Sequence, residues 1–285
     1  MRRRALVAAA APLLAARAGA TATRAVPLDG ARETLVVGGR TRAYRWNAPT
    51  VAPPAAGRPV VLAFHGLGGS AEQMREATGL DAAALRDGFV VVYPEAVREA
   101  RGGWAMGCAG CTPADTLGVD DVAYVDAVLD DVARRTPVDR ARVHALGFSM
   151  GGWFVHAYAC RRADRLAAAA PLGAVMPRPV AAACAPARPL SLLVAFGSAD
   201  ASQPWDGHAG EFGLLGVDGS AAFWARAASC GAPAADASGD VLTWGGCAGG
   251  ARVARRRVVD LPHVWPRTGW DASAEMLRFF DLGTR

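Results

Sequence analysis

Gly147-Phe148-Ser149-Met150-Gly151 follows directly on the apolar run of residues 141–146. The Gly-x-Ser-x-Gly spacing is typical of a tight turn from strand to helix, which holds a serine hydroxyl clear of a sheet. Glycines on both sides of the serine let the backbone pass close to neighbouring chains. In a chain rich in Ala and Gly, the same five residues could instead form an ordinary glycine turn. The surrounding sequence has to distinguish between a catalytic turn and an ordinary one.

Strand-like and helix-like segments alternate on both sides of this turn, after an early hairpin joined by Gly38-Gly39. Short β-rich runs without strict alternation, separated by helical lengths, indicate a mostly parallel sheet covered on both faces. The sequence therefore predicts an α/β fold with a doubly wound sheet, helices on both faces and an antiparallel N-terminal edge. The predicted hairpin strands are 34–37 and 42–46; the later strands are 59–64, 89–93, 166–171, 190–196 and 255–259; the helices are 71–87, 121–135, 150–162, 221–228 and 272–280.

Polar or glycine-rich segments follow four of these strands directly. Ligands of such sheets bind outside the carboxyl ends of the strands, so these segments are the candidates for chemistry. Their convergence is much less probable by chance than any one motif. The four segments are His65-Gly66-Leu67-Gly68-Gly69, Ser149 of the turn, Gly197-Ser198-Ala199-Asp200 and Asp260-Leu261-Pro262-His263.

A serine hydroxyl needs a base to accept its proton, and an imidazole base needs an anion behind it. Ser149, an acid and His263 occur in an order known for serine nucleophiles on parallel sheets. His263 is our candidate base because it alone follows the final strand. The other histidines are predicted in the loop after the first parallel strand, in the strand before Ser149, on the helix after it, and in a later loop: His65, His144, His156 and His208.

Two aspartates compete for the acid position. Asp200 comes directly after a strand, which aims its carboxylate at the histidine loop, so we favour it over Asp206, six residues further on. Either could instead cap a turn. Asp120 and Asp121 precede a helical run and are interpreted as N-terminal capping carboxylates.

A tetrahedral intermediate needs two N–H donors aimed at its oxygen. The residue after the nucleophile supplies one, here the backbone N–H of Met150, and an earlier glycine loop supplies the other. We expect Leu67 to be the second donor, with Gly68 as the near alternative.

Three tryptophans lie in loops predicted at the same end of the sheet: Trp104, Trp205 and Trp265. Aromatic walls suit flat or sugar-linked acyl groups, although a loop tryptophan is as often a packing anchor. We carry both roles forward. Trp153, one turn into the helix after Ser149, is expected in the core.

Residues 1–20 have the pattern of a signal peptide, with Arg2-Arg3-Arg4, an apolar run and small residues for cleavage. The segment holds four arginines and no acid, and subtracting those four charges from +5 leaves +1 for residues 21–285. A near-neutral surface gives no support for nucleic-acid binding, and no later run is long enough to span a membrane. We expect export to the periplasm or the outside, with residues 21–285 as one domain.

Six cysteines in an exported chain predict disulfides, with fifteen possible full pairings. Cys230 with Cys247 and Cys160 with Cys184 are the expected local pairs. Cys108 and Cys111 form a Cys-x-x-Cys pair. A redox or zinc role for that pair would require a thioredoxin-like context or further ligands, and neither is visible.

From residue 58 to residue 280 the chain resembles secreted α/β-hydrolase esterases of the polyhydroxybutyrate depolymerase, feruloyl esterase and acetylxylan esterase type. The most specific likeness is His263-Val264-Trp265-Pro266. Two departures stand out: Leu261-Pro262 replaces the usual glycines before the histidine, and no linker or binding domain is visible. The other matching segments are His65-Gly66, Val119-Asp120-Asp121-Val122, Gly147 to Gly152, Gly197 to Asp200, Pro204-Trp205, and Cys230 with Cys247.

The resemblance implies that Ser149, Asp200 and His263 form a catalytic triad without metal or organic cofactor. It also implies an ester as the substrate. The missing binding domain favours feruloyl or acetyl esters of plant polysaccharide, or small esters, over solid polyester. A polyester depolymerase, a non-catalytic binding protein of the same fold and an acyl transferase are the alternatives. The oligomeric state is left open.

Overall fold

A mixed ten-stranded sheet organises the chain, whose computed structural model describes residues 31–209 and 212–283. A separate two-stranded hairpin is formed by the eighth and ninth strands. The strands are β1 (Ala31–Val37), β2 (Arg40–Asn47), β3 (Arg58–Phe64), β4 (Val90–Pro94), β5 (Val138–Phe148), β6 (Ala168–Leu172), β7 (Ser191–Gly197), β8 (Gly207–His208), β9 (Leu214–Leu215), β10 (Pro233–Ala235), β11 (Val241–Trp244) and β12 (Val253–Val258).

Helices connect the parallel strands, as the alternating sequence pattern predicts. Two short 3₁₀ turns, Arg98–Ala100 and Ala248–Gly250, lie in the connections. The α-helices are α1 (Ala71–Thr78), α2 (Leu80–Asp87), α3 (Pro113–Thr116), α4 (Asp121–Arg135), α5 (Met150–Arg162), α6 (Arg178–Ala182), α7 (Val217–Ala227) and α8 (Ala272–Phe279).

The order of the strands is β1-β2-β4-β3-β5-β6-β7-β12-β11-β10. The six strands from β4 to β12 run parallel, and the hairpin of β1 and β2 adds antiparallel strands at one edge. The predicted fold class is therefore confirmed. A second antiparallel edge, β11 and β10, was not predicted, because β11 is only four residues long and β10 consists of Pro and Ala, which are weak strand formers.

Strand β3 shows why the sheet is covered on both faces. All its residues are buried, and they alternate between two hydrophobic clusters. Val60, Leu62 and Phe64 pack into one cluster, which includes residues of α4, α5 and α7. Val61 and Ala63 pack into the other, which includes residues of α1, α2 and α8. The continuous apolar run of β3 thus contributes side chains to the hydrophobic cores on both faces of the sheet.

The single helix predicted over residues 71–87 is wrong, because Gly79 divides it into α1 and α2. Gly79 has φ 60°, a left-handed conformation that ends α1, and its N–H donates to the carbonyl of Arg75. A Cβ at this position would collide with the guanidinium of Arg267, 2.6 Å away. The glycine thus ends α1, and its open side accommodates the guanidinium of Arg267.

At the start of α4 the two neighbouring aspartates have different roles. Asp120 caps the helix, accepting the N–H of Ala123 at 2.9 Å. The capping role predicted for Asp121 is wrong: its buried carboxylate pairs with Arg42 at 2.6 Å and accepts the N–H of Ala105 at 2.7 Å. A buried arginine on β2 therefore fixes both α4 and the loop that follows β4.

Three disulfides join cysteines that are neighbours in the cysteine order: Cys108–Cys111, Cys160–Cys184 and Cys230–Cys247. The last two are the pairs expected from the sequence. Structural disulfides are typical of proteins that leave the reducing cytosol.

The predicted signal peptide, residues 1–20, lies outside the described residues. Within the described part of the chain, no helix has both the length and the apolarity needed to cross a bilayer.

We expect His144 to make the fold sensitive to acid. The ring is buried against Phe280, and within the described residues neither of its nitrogens has a hydrogen-bond partner. Burial lowers the pKa of His144 from 6.5 to about 4. Below pH 6.5 the imidazole is therefore protonated in the unfolded chain, whereas in the folded chain it stays neutral down to about pH 4. As the pH falls from 6.5 to 4, the free energy of unfolding decreases by about 3 kcal/mol.

Urea unfolding of the wild type and His144→Leu at pH 7, 6, 5 and 4 checks this. The variant should lose less stability on acidification than the wild type. Val143→Ala is the matched control, since it removes buried volume from the same strand and should lower stability equally at every pH. Equal pH slopes for His144→Leu and the wild type would contradict the assignment.

Candidate active site

Ser149 stands at the turn between β5 and α5 in a strained backbone conformation. Its φ is 55° and ψ −123°, a region that residues with a Cβ rarely adopt. A Cβ on Gly147 would collide with the carbonyl of Gly151, and a Cβ on Gly151 would collide with the carbonyl of Phe64. The two glycines therefore let α5 begin directly against β3, which is the close approach that the motif predicts.

The carboxylate of Asp200 and the imidazole of His263 form a short contact, with Oδ2 and Nδ1 2.6 Å apart. The Asp200 side chain is 1% exposed and that of His263 is 20% exposed. The second oxygen of Asp200 accepts the N–H groups of Ser202 and Gln203, at 2.8 and 3.3 Å. One carboxylate oxygen is thus held by the backbone and the other faces the imidazole.

The imidazole of His263 also lies beside the turn that carries Ser149. The ring of Phe148 packs against it, with centroids 4.7 Å apart. On another side is Gly173, φ 57°, where a Cβ would lie 3.3 Å from Nδ1 of the imidazole. Phe148 and Gly173 therefore hold the candidate base beside the turn that carries the candidate nucleophile.

Leu261-Pro262 stands where the similar esterases have glycines, and this segment is held by the loop that carries Asp200. The N–H of Ala199 donates to the carbonyl of Leu261 at 3.1 Å. Gly197 approaches the same carbonyl so closely that a Cβ there would collide with it. The histidine loop thus gains its position from contacts with β7 rather than from glycines of its own.

The loop His65-Gly66-Leu67-Gly68-Gly69 passes directly beside Ser149, since a Cβ on Gly66 would lie 3.3 Å from the Cβ of Ser149. The N–H of Gly68 donates to the carbonyl of Arg101 at 3.1 Å, so Gly68 is not available as a donor to a ligand. Among the described residues, the backbone N–H groups of Leu67 and Met150 have no protein acceptor. This geometry favours Leu67 over Gly68 as the partner of Met150.

His65 holds this loop rather than taking part in the acid–base pair. Its Nε2 accepts the N–H of Ala96 at 3.2 Å, which leaves the proton on Nδ1, 2.8 Å from the carbonyl of Gly66. Burial lowers the pKa of His65, which keeps this neutral form. In a trans peptide the C=O and N–H point in opposite directions, so holding the carbonyl of Gly66 also aims the N–H of Leu67.

The substrate-binding role predicted for Trp104 is wrong, because the side chain is completely buried. Its ring stacks on Phe154 at 5.1 Å, and its indole N–H donates to the carbonyl of His65 at 2.8 Å. The alternative role as a packing anchor fits: Trp104 supports the loop beside Ser149 from within the core.

The other two predicted binding tryptophans are half-buried. Trp265 packs edge to face on Phe148, and its indole N–H donates to Ser273 at 3.1 Å. Trp205 packs edge to face on Phe196. Trp265 therefore lies one ring away from His263, whereas Trp205 contacts Phe196 at the end of β7 and the guanidinium of Arg255 on β12.

The remaining acid and histidine candidates lie apart from this cluster. Asp206 and His208 are exposed, whereas His144 and His156 are buried in the core. Asp200 and His263 are thus the acid and the histidine that the structure brings together.

Sequence reasoning missed Gln203, a buried amide that connects three elements around the site. Its Nε2 donates to the carbonyl of Gly173 at 2.8 Å. Its Oε1 accepts the indole N–H of Trp153 at 3.0 Å and the N–H of Val175 at 3.2 Å. Trp153, expected in the core, is half-buried and packs against the edge of the main hydrophobic cluster. The short distance of Gln203 from Asp200 along the chain was the available signal.

Potential metal ligands of the described residues come together in one group of three, Cys108, Cys111 and Asp115. The two sulfurs are bonded to each other, and Asp115 accepts the N–H groups of Met106 and Gly107. Neither bonded sulfur is a thiolate, which is the form of cysteine that binds metals, and both oxygens of Asp115 already accept hydrogen bonds.

Two curated relatives are named as esterases. The chain is 41% identical over 181 residues to a putative esterase, NocK, of Nocardia uniformis subsp. tsuyamanensis, covering 62% of this chain and 50% of that protein. It is 28% identical over 226 residues to feruloyl esterase B of Piromyces equi, covering 75% of this chain and 41% of that protein. The chain therefore spans half or less of the length of these relatives.

A solved acetyl xylan esterase from Aspergillus awamori has the same fold. The two structures superpose with a TM-score of 0.65 over 89% of this chain and 100% of that one, at 14% sequence identity. The model of the α/β hydrolase fold matches residues 59–207, which is more than half of the chain. Together with the strand order and the turn at Ser149, this match shows that the chain belongs to the α/β-hydrolase fold family.

Proposed function

We propose that the protein is an exported serine hydrolase of carboxylic esters that works through an acyl-enzyme on Ser149. The observation that carries the proposal is the 2.6 Å contact between Asp200 and His263 beside the strained turn at Ser149. A buried carboxylate on Nδ1 leaves Nε2 of the imidazole as the proton acceptor. The names of the esterase relatives support the same reaction class.

In the proposed reaction, Oγ of Ser149 attacks the acyl carbon of the ester while His263 takes the hydroxyl proton. The tetrahedral intermediate collapses, and His263 returns the proton to the departing alcohol. Water then attacks the acyl-enzyme with His263 again as base, which releases the acid and restores Ser149. Asp200 stays ionised and stabilises the imidazolium in both halves of the reaction.

The oxygen of the tetrahedral intermediate is stabilised by the backbone N–H groups of Met150 and Leu67. Both are free of protein acceptors among the described residues. Met150 opens α5, so the positive end of the helix dipole adds to the stabilisation. Removing one such donor costs about 3 to 4 kcal/mol of transition-state stabilisation in other hydrolases.

The preferred substrates are feruloyl or acetyl esters of plant polysaccharide, or small soluble esters. The relative named feruloyl esterase B supports this choice. Phe148 and the half-buried Trp265 next to His263 give an apolar, aromatic wall suited to such acyl groups. Three disulfides support export to an oxidising compartment.

Ser149→Ala tests the nucleophile. The variant should keep the circular dichroism and melting temperature of the wild type and lose on the order of 10⁴-fold or more in kcat on p-nitrophenyl acetate. A fluorophosphonate probe should label the wild type and not the variant. A folded wild type that is neither labelled nor active would indicate a binding protein of the same fold instead.

Trp104→Phe tests whether Trp104 supports the loop and does not touch substrate. Loss of the bond to the carbonyl of His65 should lower kcat/KM by about tenfold, by the same factor for p-nitrophenyl acetate and p-nitrophenyl ferulate. A loss confined to the ferulate ester would contradict the buried placement, because only direct contact distinguishes acyl groups.

A substrate panel tests the acyl class. Methyl ferulate and acetylated xylan should be hydrolysed, while solid polyhydroxybutyrate should not be. Added glycerol should leave the free acid as the main product if water is the natural acceptor, whereas glyceryl esters would indicate acyl transfer.

A further inference from the structure

Gln203 occupies an unusual place between the loops of the candidate site. The side chain is 5% exposed, although a glutamine normally lies at the surface. It comes three residues after Asp200, and its own backbone N–H is one of the two that hold Oδ1 of Asp200. The acid and the amide therefore belong to one turn after β7.

The amide group of Gln203 pairs with the backbone on both sides of Ala174. Its Nε2 donates to the carbonyl of Gly173 and its Oε1 accepts the N–H of Val175. The orientation of the amide is fixed, because a flipped group would set its NH₂ against the N–H groups of Val175 and Trp153. This two-point pairing locks the loop after β6 to the acid turn.

The loop that Gln203 locks is the one on which the imidazole rests. The missing Cβ of Gly173 would lie 3.3 Å from both Nδ1 and Cε1 of His263, so the backbone of Gly173 packs directly against the ring. The ring is thus held between Gly173, Phe148 and Asp200. A shift of the Gly173 loop would move one of these three supports while leaving the other two in place.

We propose that Gln203 is a positioning residue for the Asp200–His263 pair: its amide clamps the Gly173 loop to the acid turn, so that the imidazole keeps its alignment with Ser149. Gln203 touches neither substrate nor the reacting atoms. The inference rests on the proposed ester hydrolysis and adds a residue that sets the rate of its proton transfers. A displacement of about 1 Å in a catalytic group can lower the reaction rate by about 100-fold.

The test compares Gln203→Met with the wild type on p-nitrophenyl acetate. Methionine keeps the length and flexibility of the side chain and removes all its hydrogen bonds. We expect kcat to fall by about tenfold or more, while KM changes by less than about twofold, because Gln203 is not proposed to contact the ester. Trp153→Phe removes only the bond to α5 and should lower kcat less than Gln203→Met does.

Tyr44→Phe is the control for general destabilisation. It removes a buried hydrogen bond, to Asp131 on α4, at a place remote from Ser149 in the sheet. Its melting temperature should fall while kcat per folded molecule stays at the wild-type value. If Gln203→Met does not fold, Gln203→Asn takes its place, since the shorter amide cannot reach both Gly173 and Val175.

Two results would overturn the proposal. One is an unchanged kcat in folded Gln203→Met. The other is a loss of activity in every variant that is fully explained by a smaller fraction of folded protein. Failure of the proposed function is distinguished in the same assay. An inactive wild type, or a fully active Ser149→Ala, would reject ester hydrolysis on Ser149 itself. If the wild type is active and Ser149→Ala is inactive, ester hydrolysis on Ser149 stands, and the Gln203 variants alone decide the role of Gln203.

Discussion

The contact between the first turn of α5 and the end of β3 is the constraint on which the rest of the candidate site depends. Gly147 and Gly151 allow backbone contacts that any side chain would prevent, and the strained Ser149 stands between them. The contact brings Ser149 beside Gly66 and aims the start of a helix at the same point. The candidate nucleophile, its two candidate backbone donors and the start of α5 are thus placed together by one packing contact.

Around this turn, each loop of the site is held by its neighbour. Ala199 holds the carbonyl of Leu261, Gln203 holds Gly173, and Trp104 holds the carbonyl of His65. The bonds made by Gln203 and Trp104 are buried, so breaking either one leaves a donor or acceptor without water to replace the lost partner. The loops lie on the surface, but their positions are set by the core beneath them.

The fold and the acid–histidine pair could be predicted because their signals are local: apolar runs, a glycine motif, and polar residues placed directly after strands. Other features depend on contacts between distant parts of the chain. The burial of Asp121 depends on Arg42, and the role of Gln203 depends on Gly173. Periodicity and spacing do not reveal such partners, and for the same reason the sequence could not decide between the two roles considered for Trp104.

The pairing of the six cysteines has a consequence for how the chain matures. Each cysteine is bonded to its nearest neighbour in the cysteine order, with separations of 3, 24 and 17 residues. If the chain is oxidised while it is being exported N-terminus first, both cysteines of each native pair therefore reach the oxidant before the cysteines of the next pair do. The native arrangement among fifteen is the one that vectorial oxidation produces directly, without an isomerase to reshuffle wrong bonds.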